Sequence, residues 1–84
     1  MKYFFYGTEC PHCHTMLSIV EKLNKEGVKI EILETWHNDA NAKKLETFDT
    51  DLCGGVPFFY DSETKNFICG ETTEEHVREW AFQK

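Results

Sequence analysis

Long apolar runs and clusters of basic residues are missing from this 84-residue sequence. No apolar stretch approaches the ~20 residues that a helix needs to cross a bilayer. The formal net charge is −6, which disfavours nucleic acid and anionic membrane surfaces as partners, because both bind clustered Lys and Arg. The first residues, Met1-Lys2-Tyr3, begin a strand pattern and not a cleavable signal. We therefore expect a soluble, cytoplasmic, monomeric protein.

Internal repeats, linkers and low-complexity segments are also missing, so we expect residues 1–84 to form a single domain. A chain this short buries a limited fraction of its surface, and its core must therefore be dense in large apolar side chains. Seven Phe, three Tyr and two Trp supply that density.

Cysteine is present, and its placement suggests chemistry. Cys10 and Cys13 are separated by two residues, and they lie after the apolar run Tyr3-Phe4-Phe5-Tyr6 and before a helical pattern. A strand that turns into a helix places the Cys10 sulfur among unpaired backbone N–H groups, where the helix dipole stabilises a thiolate. Pro11 suits the first helical turn because its missing N–H would have no partner there. A disulfide across so short a spacing favours thiol exchange over structural stapling.

Hydrophobic periodicity predicts the element order βαβαββα. The first predicted strand has no polar alternation, which indicates that both of its faces are buried at the centre of a sheet. The helix between the first two strands indicates that these strands are parallel. The predicted strands are Lys2–Tyr6, Val28–Leu33, Val56–Tyr60 and Phe67–Cys69, with a polar turn over 61–66.

The three predicted helices each present one apolar face. The first buries Met16, Leu17, Val20 and Leu23 and ends at Gly27 as a left-handed cap. The second is capped by Asn38 or Asp39, runs to about Asp51 and turns Leu45, Phe48 and Leu52 inward. The third opens at a capping box of Thr72 and Glu75 and buries Val77, Trp80 and Ala81.

The order strand, Cys10-Pro11-His12-Cys13, helix resembles the thioredoxin superfamily, and the short chain is most similar to its glutaredoxin-like branch. Gly54-Gly55-Val56-Pro57 before Phe58-Phe59-Tyr60 resembles the loop that carries the family's cis-proline, and Cys69-Gly70 resembles the glycine turn after the fourth strand. The resemblance implies an α/β thioredoxin-like fold, with a four-stranded mixed sheet flanked by helices. It also implies a thiol–disulfide oxidoreductase that takes part in electron transport.

The resemblance assigns roles to the motif. Cys10 is expected to attack a substrate disulfide, and Cys13 to resolve the mixed disulfide. With Pro11 beside it, His12 is expected to tune the pair, because an imidazole that donates a hydrogen bond or charge to the Cys10 thiolate makes the pair more oxidising. The alternative is that His12 is an exposed loop residue without a tuning role.

Strand direction gathers further candidates at the same end of the sheet. The family resemblance implies that Val56 offers its backbone to an extended substrate and that Pro57 keeps a backbone donor away from Cys10. Trp36 is either a substrate platform or a lid on the core. Cys53, Cys69 and Gly70 should lie near this groove. The two cysteines are either inert packing residues, or one of them exchanges with the Cys10–Cys13 pair or forms a second reversible disulfide. His14, His37 and His76 are interpreted as surface residues.

The expected partners are protein or small-molecule disulfides and thiols. We expect no bound cofactor and no metal, with glutathione open as a co-substrate and glutathione or a disulfide reductase open as the recycling partner. Gly7-Thr8-Glu9 lacks the basic residue of many glutathione-using relatives, and Glu71-Thr72-Thr73 only partly supplies their acidic residues.

Two alternatives use the same cysteines. Cys10, Cys13, Cys53 and Cys69, with His12 and His14, are a candidate ligand set for zinc or an iron–sulfur cluster, which would make the protein a metal or cluster carrier. The spacing is poor for zinc, because the C-x2-C pair is followed by two single cysteines, whereas structural zinc sites usually take two such pairs. Cys10 to His14 also matches C-x-x-C-H, the attachment signature of c-type haem, but covalent haem attachment would need export.

Overall fold

The computed structural model describes residues 1–50 and 52–82. Its elements confirm the predicted order βαβαββα. No helix in this described part of the chain is long and apolar enough to span a membrane. The elements are β1 (Lys2–Tyr6), α1 (Pro11–Lys25), β2 (Ile30–Glu34), α2 (Asp39–Phe48), β3 (Phe58–Asp61), β4 (Phe67–Cys69) and α3 (Glu74–Ala81).

The four strands form one mixed sheet in the order β2-β1-β3-β4. β1 and β2 are parallel, in a register that places Phe4 beside Ile32. β3 runs antiparallel to β1, and β4 antiparallel to β3. This topology confirms the predicted parallel pair and the central position of the first strand.

Both faces of the sheet are covered, which explains why β1 has no polar alternation. Phe4 and Phe59 are fully buried on one face against α1 and α3. On the other face, Tyr3, Phe5 and Phe58 form a second cluster with the partly buried side chains of α2. The rings contact one another; those of Phe4 and Phe59 are tilted, with centroids 4.8 Å apart, and such aromatic pairs stabilise beyond burial alone.

The flanking helices have identifiable ends. Gly27 has φ +102° just beyond α1, as the predicted left-handed cap requires. Asn38 accepts a hydrogen bond from the Asn41 N–H and caps α2. α3 is capped by Thr73, whose Oγ1 accepts from the His76 N–H, and not by Thr72. The predicted capping box is therefore wrong by one residue: Thr73 has the extended backbone of an N-cap, and the Thr72 hydroxyl bonds instead to the His76 ring.

The second helix is shorter than predicted. α2 ends at Phe48 with Asp49 as its C-cap, and its predicted end, Asp51, lies outside the described residues. Leu45 and Phe48 pack on the sheet as expected, but Leu52 is exposed. The inward prediction for Leu52 is wrong because the helical periodicity does not continue past Asp49.

Two strands are displaced from their predicted bounds. β2 begins at Ile30 and not at Val28, and β3 begins at Phe58 and not at Val56. β3 also includes Asp61, which the composition placed in a polar turn. Asp61 is buried because its carboxylate accepts from the Glu63 N–H and pairs with Lys2.

Candidate active site

Four connecting segments meet where β1, β2 and β4 end and β3 begins. Phe5 pairs with Phe58, and Phe58 pairs with Cys69, so these strand ends are adjacent. We call this region the cysteine end of the sheet; it comprises residues 7–14, 34–42, 52–57 and 69–77. The sequence-predicted site residues all lie within it, as strand direction required.

Cys10 and Cys13 form a disulfide with their α-carbons 5.2 Å apart. Cys10 is the N-cap of α1 and Pro11 the first helical residue. The Cys10 Sγ accepts a hydrogen bond from the Cys13 N–H at 3.2 Å. Cys13 is fully buried, whereas Cys10 keeps 6% of its surface exposed. The donor at the helix N-terminus is therefore aimed at the more accessible sulfur, where it stabilises negative charge.

Glu34, at the end of β2, holds the loop that precedes Cys10. Its Oε2 accepts from the backbone N–H and hydroxyl of Thr8, at 2.9 and 3.0 Å, and from the Trp36 N–H. Its Oε1 accepts from the His37 N–H at 2.7 Å. Partial burial opposes the charge on Glu34, but these N–H donors outweigh it and lower the pKa of the carboxyl. One carboxylate thus joins the β1–α1 and β2–α2 loops.

Trp36 lies over Gly7, and a side chain at Gly7 would overlap the indole ring. The indole is still 53% exposed. Trp36 also borders a cleft of about 330 Å³. Thr35, beside Trp36 in the β2–α2 loop, also lines the cleft. The other lining residues come from α2 and the loop after it: Ala42, Leu45, Glu46, Asp49, Gly54, Gly55 and Val56.

The four histidines all lie at the cysteine end, and each has a polar partner. The His12 Nδ1–H donates to the Glu71 carboxylate, which lies directly after Gly70. His37 pairs with Glu9 at 2.7 Å, and this hydrogen bond raises the pKa of the imidazole. The remaining two bond to their neighbours, His14 to the Thr8 carbonyl and His76 to the Thr72 hydroxyl.

The Val56–Pro57 peptide bond is cis. Pro57 is buried, and its carbonyl accepts from the Gly70 N–H at 2.9 Å. Gly70 has φ +88°, a backbone conformation that glycine adopts without steric cost. This bond fastens the turn after β4 to the segment before β3.

A second disulfide joins Cys53 to Cys69, with α-carbons 5.4 Å apart. Cys69 is exposed and Cys53 half-buried. Asp49 organises the same loop, since its two carboxylate oxygens accept from the backbone N–H groups of Leu52, Cys53 and Gly54. In the sheet, Cys69 pairs with Phe58, the residue after Pro57.

Charge is segregated along the molecule. The segments of the cysteine end contain Glu9, Glu34, Asp39, Glu71, Glu74 and Glu75 but neither lysine nor arginine. Among residues 1–50 and 52–82, no three His, Cys, Asp or Glu side chains are grouped so that they could hold a metal ion.

Comparison with known proteins relates this architecture to one solved structure. The crystal structure of a glutaredoxin from Archaeoglobus fulgidus superposes with a TM-score of 0.65 and 21% identity, covering 98% of this chain and 86% of that one. The fold is thioredoxin-like. No family model and no curated protein matches the sequence.

Three residues of the site were not predicted from the sequence. Glu34, Asp49 and Glu71 hold the loops at the cysteine end through contacts with backbone or imidazole N–H groups. As acidic residues in a chain of net charge −6, they carried no distinguishing pattern. The one usable signal was the position of Glu34 and Glu71, each at or just after the end of a strand.

Proposed function

We propose that this protein is a thiol–disulfide oxidoreductase whose reactive pair is Cys10 and Cys13. The observation that carries the proposal is the Cys10 sulfur at the N-terminus of α1, bonded to Cys13 and hydrogen-bonded to the Cys13 N–H. The same N–H stabilises the Cys10 thiolate once the bond is reduced, because the backbone donor does not depend on the disulfide.

The exchange has two balanced steps. The Cys10 thiolate attacks one sulfur of a substrate disulfide, forms a mixed disulfide and releases the other substrate sulfur as a thiolate, which takes up a proton. Cys13 loses its proton and attacks the Cys10 sulfur, so the second substrate thiol leaves and the Cys10–Cys13 disulfide forms. Two electrons pass from the protein to the substrate, and the reverse sequence oxidises a dithiol.

We propose polypeptide disulfides as the substrate class. Glutathione is a small anion, and no lysine or arginine of the cysteine end is available to pair with its carboxylates. Trp36 and Val56 border a cleft, which we propose receives an apolar side chain that flanks the substrate cysteine. Carboxylates around it favour substrates with neutral or basic flanking residues.

Reduction of insulin disulfides by dithiothreitol, followed by turbidity, tests the proposal. Wild-type protein should accelerate the reaction, and Cys10→Ser should abolish the acceleration. Ser18→Ala, on the exposed side of the same helix, is the matched control and should keep the wild-type rate. An active Cys10→Ser variant would refute the assignment, and a higher kcat/KM for glutathione disulfide than for insulin would refute the substrate class.

A further inference from the structure

The Cys53–Cys69 disulfide brackets the segment to which we assign substrate binding. Cys53 stands three residues before Val56 in the α2–β3 loop, and Cys69 ends β4. The bond therefore ties this loop covalently to the neighbouring strand, across the beginning of β3. Opening the bond would remove a covalent constraint on Val56, which packs with Cys53 against the second core cluster as a partly buried residue.

The pair is placed for reaction with outside thiols. Cys69 is exposed, whereas Cys13 is fully buried and Cys10 is 6% exposed. Because Cys69 is the most exposed of these three residues, we take its sulfur to be the one that a thiolate in solution attacks; access is one of the factors that decide exchange rates.

Other contacts would keep the two sulfurs close after reduction. The Asp49 carboxylate holds the N–H groups of Cys53 and Gly54 at 2.6 and 2.7 Å. The Gly70 N–H still donates to the Pro57 carbonyl. A loop held in this way loosens without unfolding, so the disulfide can form again.

We propose that Cys53 and Cys69 are a second, regulatory redox pair, whose oxidised state pre-organises the Val56 segment for polypeptide substrates. The regulatory consequence rests on the proposed function, but the redox step does not. Reduction requires a dithiol: one of its thiolates attacks the Cys69 sulfur, and the Cys53 thiolate leaves and is protonated. The second dithiol sulfur then displaces Cys69, which takes up a proton, so two electrons enter the pair and the dithiol becomes a disulfide.

The redox step can be tested in a variant that lacks the first pair. Cys10→Ser/Cys13→Ser protein is equilibrated in buffers of reduced and oxidised dithiothreitol and then alkylated, with labelling read from peptide masses. We expect Cys53 and Cys69 to become labelled together while the circular dichroism of the folded protein is unchanged. Labelling only after denaturant is added would overturn the proposal and make the pair a structural staple.

The regulatory step is tested by the KM for insulin. In the wild type, KM should rise about threefold to tenfold once the buffer opens Cys53–Cys69, the size expected when one or two loop residues must be ordered on binding. In Cys53→Ser/Cys69→Ser, KM should already be high and no longer depend on the buffer. The single variant Cys53→Ser opens the same bond and provides this comparison if the double variant does not fold.

The results separate the two proposals. An unchanged KM in the wild type with Cys53–Cys69 open would overturn the regulatory role. Failure of wild-type protein to reduce insulin at any buffer composition would refute the proposed function, while the labelling experiment would still decide whether Cys53 and Cys69 are redox-active.

Discussion

At the scale of single residues, the reactivity of Cys10 depends on a few neighbouring donors. The Cys13 N–H reaches its sulfur at 3.2 Å, and the N-cap position adds the field of the helix. The imidazole of His12 is 73% exposed and donates its Nδ1–H to Glu71. His12 therefore has two candidate roles. Its imidazole either stabilises the Cys10 thiolate or serves only as the hydrogen-bond partner of Glu71.

His12→Tyr decides between these roles. If the imidazole stabilises the thiolate, its loss makes the reduced form less stable and moves the reduction potential to more negative values, by about 30 mV for each 1.4 kcal/mol of lost stabilisation. The wild-type potential should also be less negative than the ~−270 mV of thioredoxin. Equilibration with a glutathione buffer measures both; identical potentials for wild type and variant would mean that His12 serves Glu71 alone.

At the scale of elements, the loop between β1 and α1 sets the position of Cys10. The Gly7 carbonyl accepts from the Cys10 N–H at 3.0 Å, Glu34 holds Thr8, and the indole of Trp36 covers Gly7. The cysteine motif is thus supported by the β2–α2 loop as well as by its own helix.

Gly7→Ala should disturb this support. Because the new methyl group overlaps the Trp36 ring, the ring must move outward, and the tryptophan emission should shift to longer wavelengths. We expect kcat/KM for insulin to fall, on the order of tenfold, as Cys10 is displaced. Ser18→Ala, at an exposed position of α1 outside the cleft, is the control and should keep the wild-type emission and kinetics. Wild-type emission and kinetics in Gly7→Ala would show that Trp36 has no such positioning effect.

The elements themselves were largely predictable, because β1 and α1 carry strong local patterns. Lys2–Tyr6 and Phe67–Cys69 have the predicted bounds, and Met16, Val20 and Leu23 are buried as their spacing requires. The errors fall at element ends. Whether Thr72 or Thr73 caps α3, and whether Val56 joins the sheet, depends on backbone geometry that composition does not encode.

At the scale of the whole molecule, Asp61 connects the start of the chain to the end of β3. Only 2% of Asp61 is exposed, and its carboxylate lies 3.4 Å from the Lys2 Nζ and 4.0 Å from the terminal ammonium of Met1. Burial opposes its charge, but the Glu63 N–H and Lys2 outweigh burial and lower its pKa. A lowered folded-state pKa stabilises the fold above the unfolded value of about 3.9, and this contribution disappears as the pH falls through the folded value.

Asp61→Asn should reduce the free energy of unfolding at pH 7 by about 1–3 kcal/mol, since the Lys2 charge loses its buried partner. At an acid pH well below the unfolded value of about 3.9, the difference from wild type should shrink, because wild-type Asp61 becomes increasingly protonated as the pH falls. Urea unfolding at the two pH values measures this. An equal loss at both would mean that the charge of Asp61 contributes nothing.

Contacts between distant parts of the chain could be predicted from the sequence only in part, because local patterns do not encode them. Strand direction alone predicted that Cys10, Val56, Pro57 and Cys69 lie at the same end of the sheet. It left the pairing of Cys53 with Cys69 open, because four loop residues separate Cys53 from β3 and only the loop path decides whether the sulfurs meet. The contact between His12 and Glu71 spans 59 positions and has no sequence signature.

The central claim, that Cys10 attacks and Cys13 resolves, is tested most directly by trapping the mixed disulfide. Reduced Cys13→Ser protein mixed with a disulfide-bonded peptide should accumulate a covalent adduct on Cys10, visible by intact mass and located by peptide mapping. Reduced wild-type protein should release the peptide as a dithiol and end with Cys10 bonded to Cys13. An adduct on Cys53 or Cys69, or none at all in Cys13→Ser while Cys10→Ser remains active, would contradict the account.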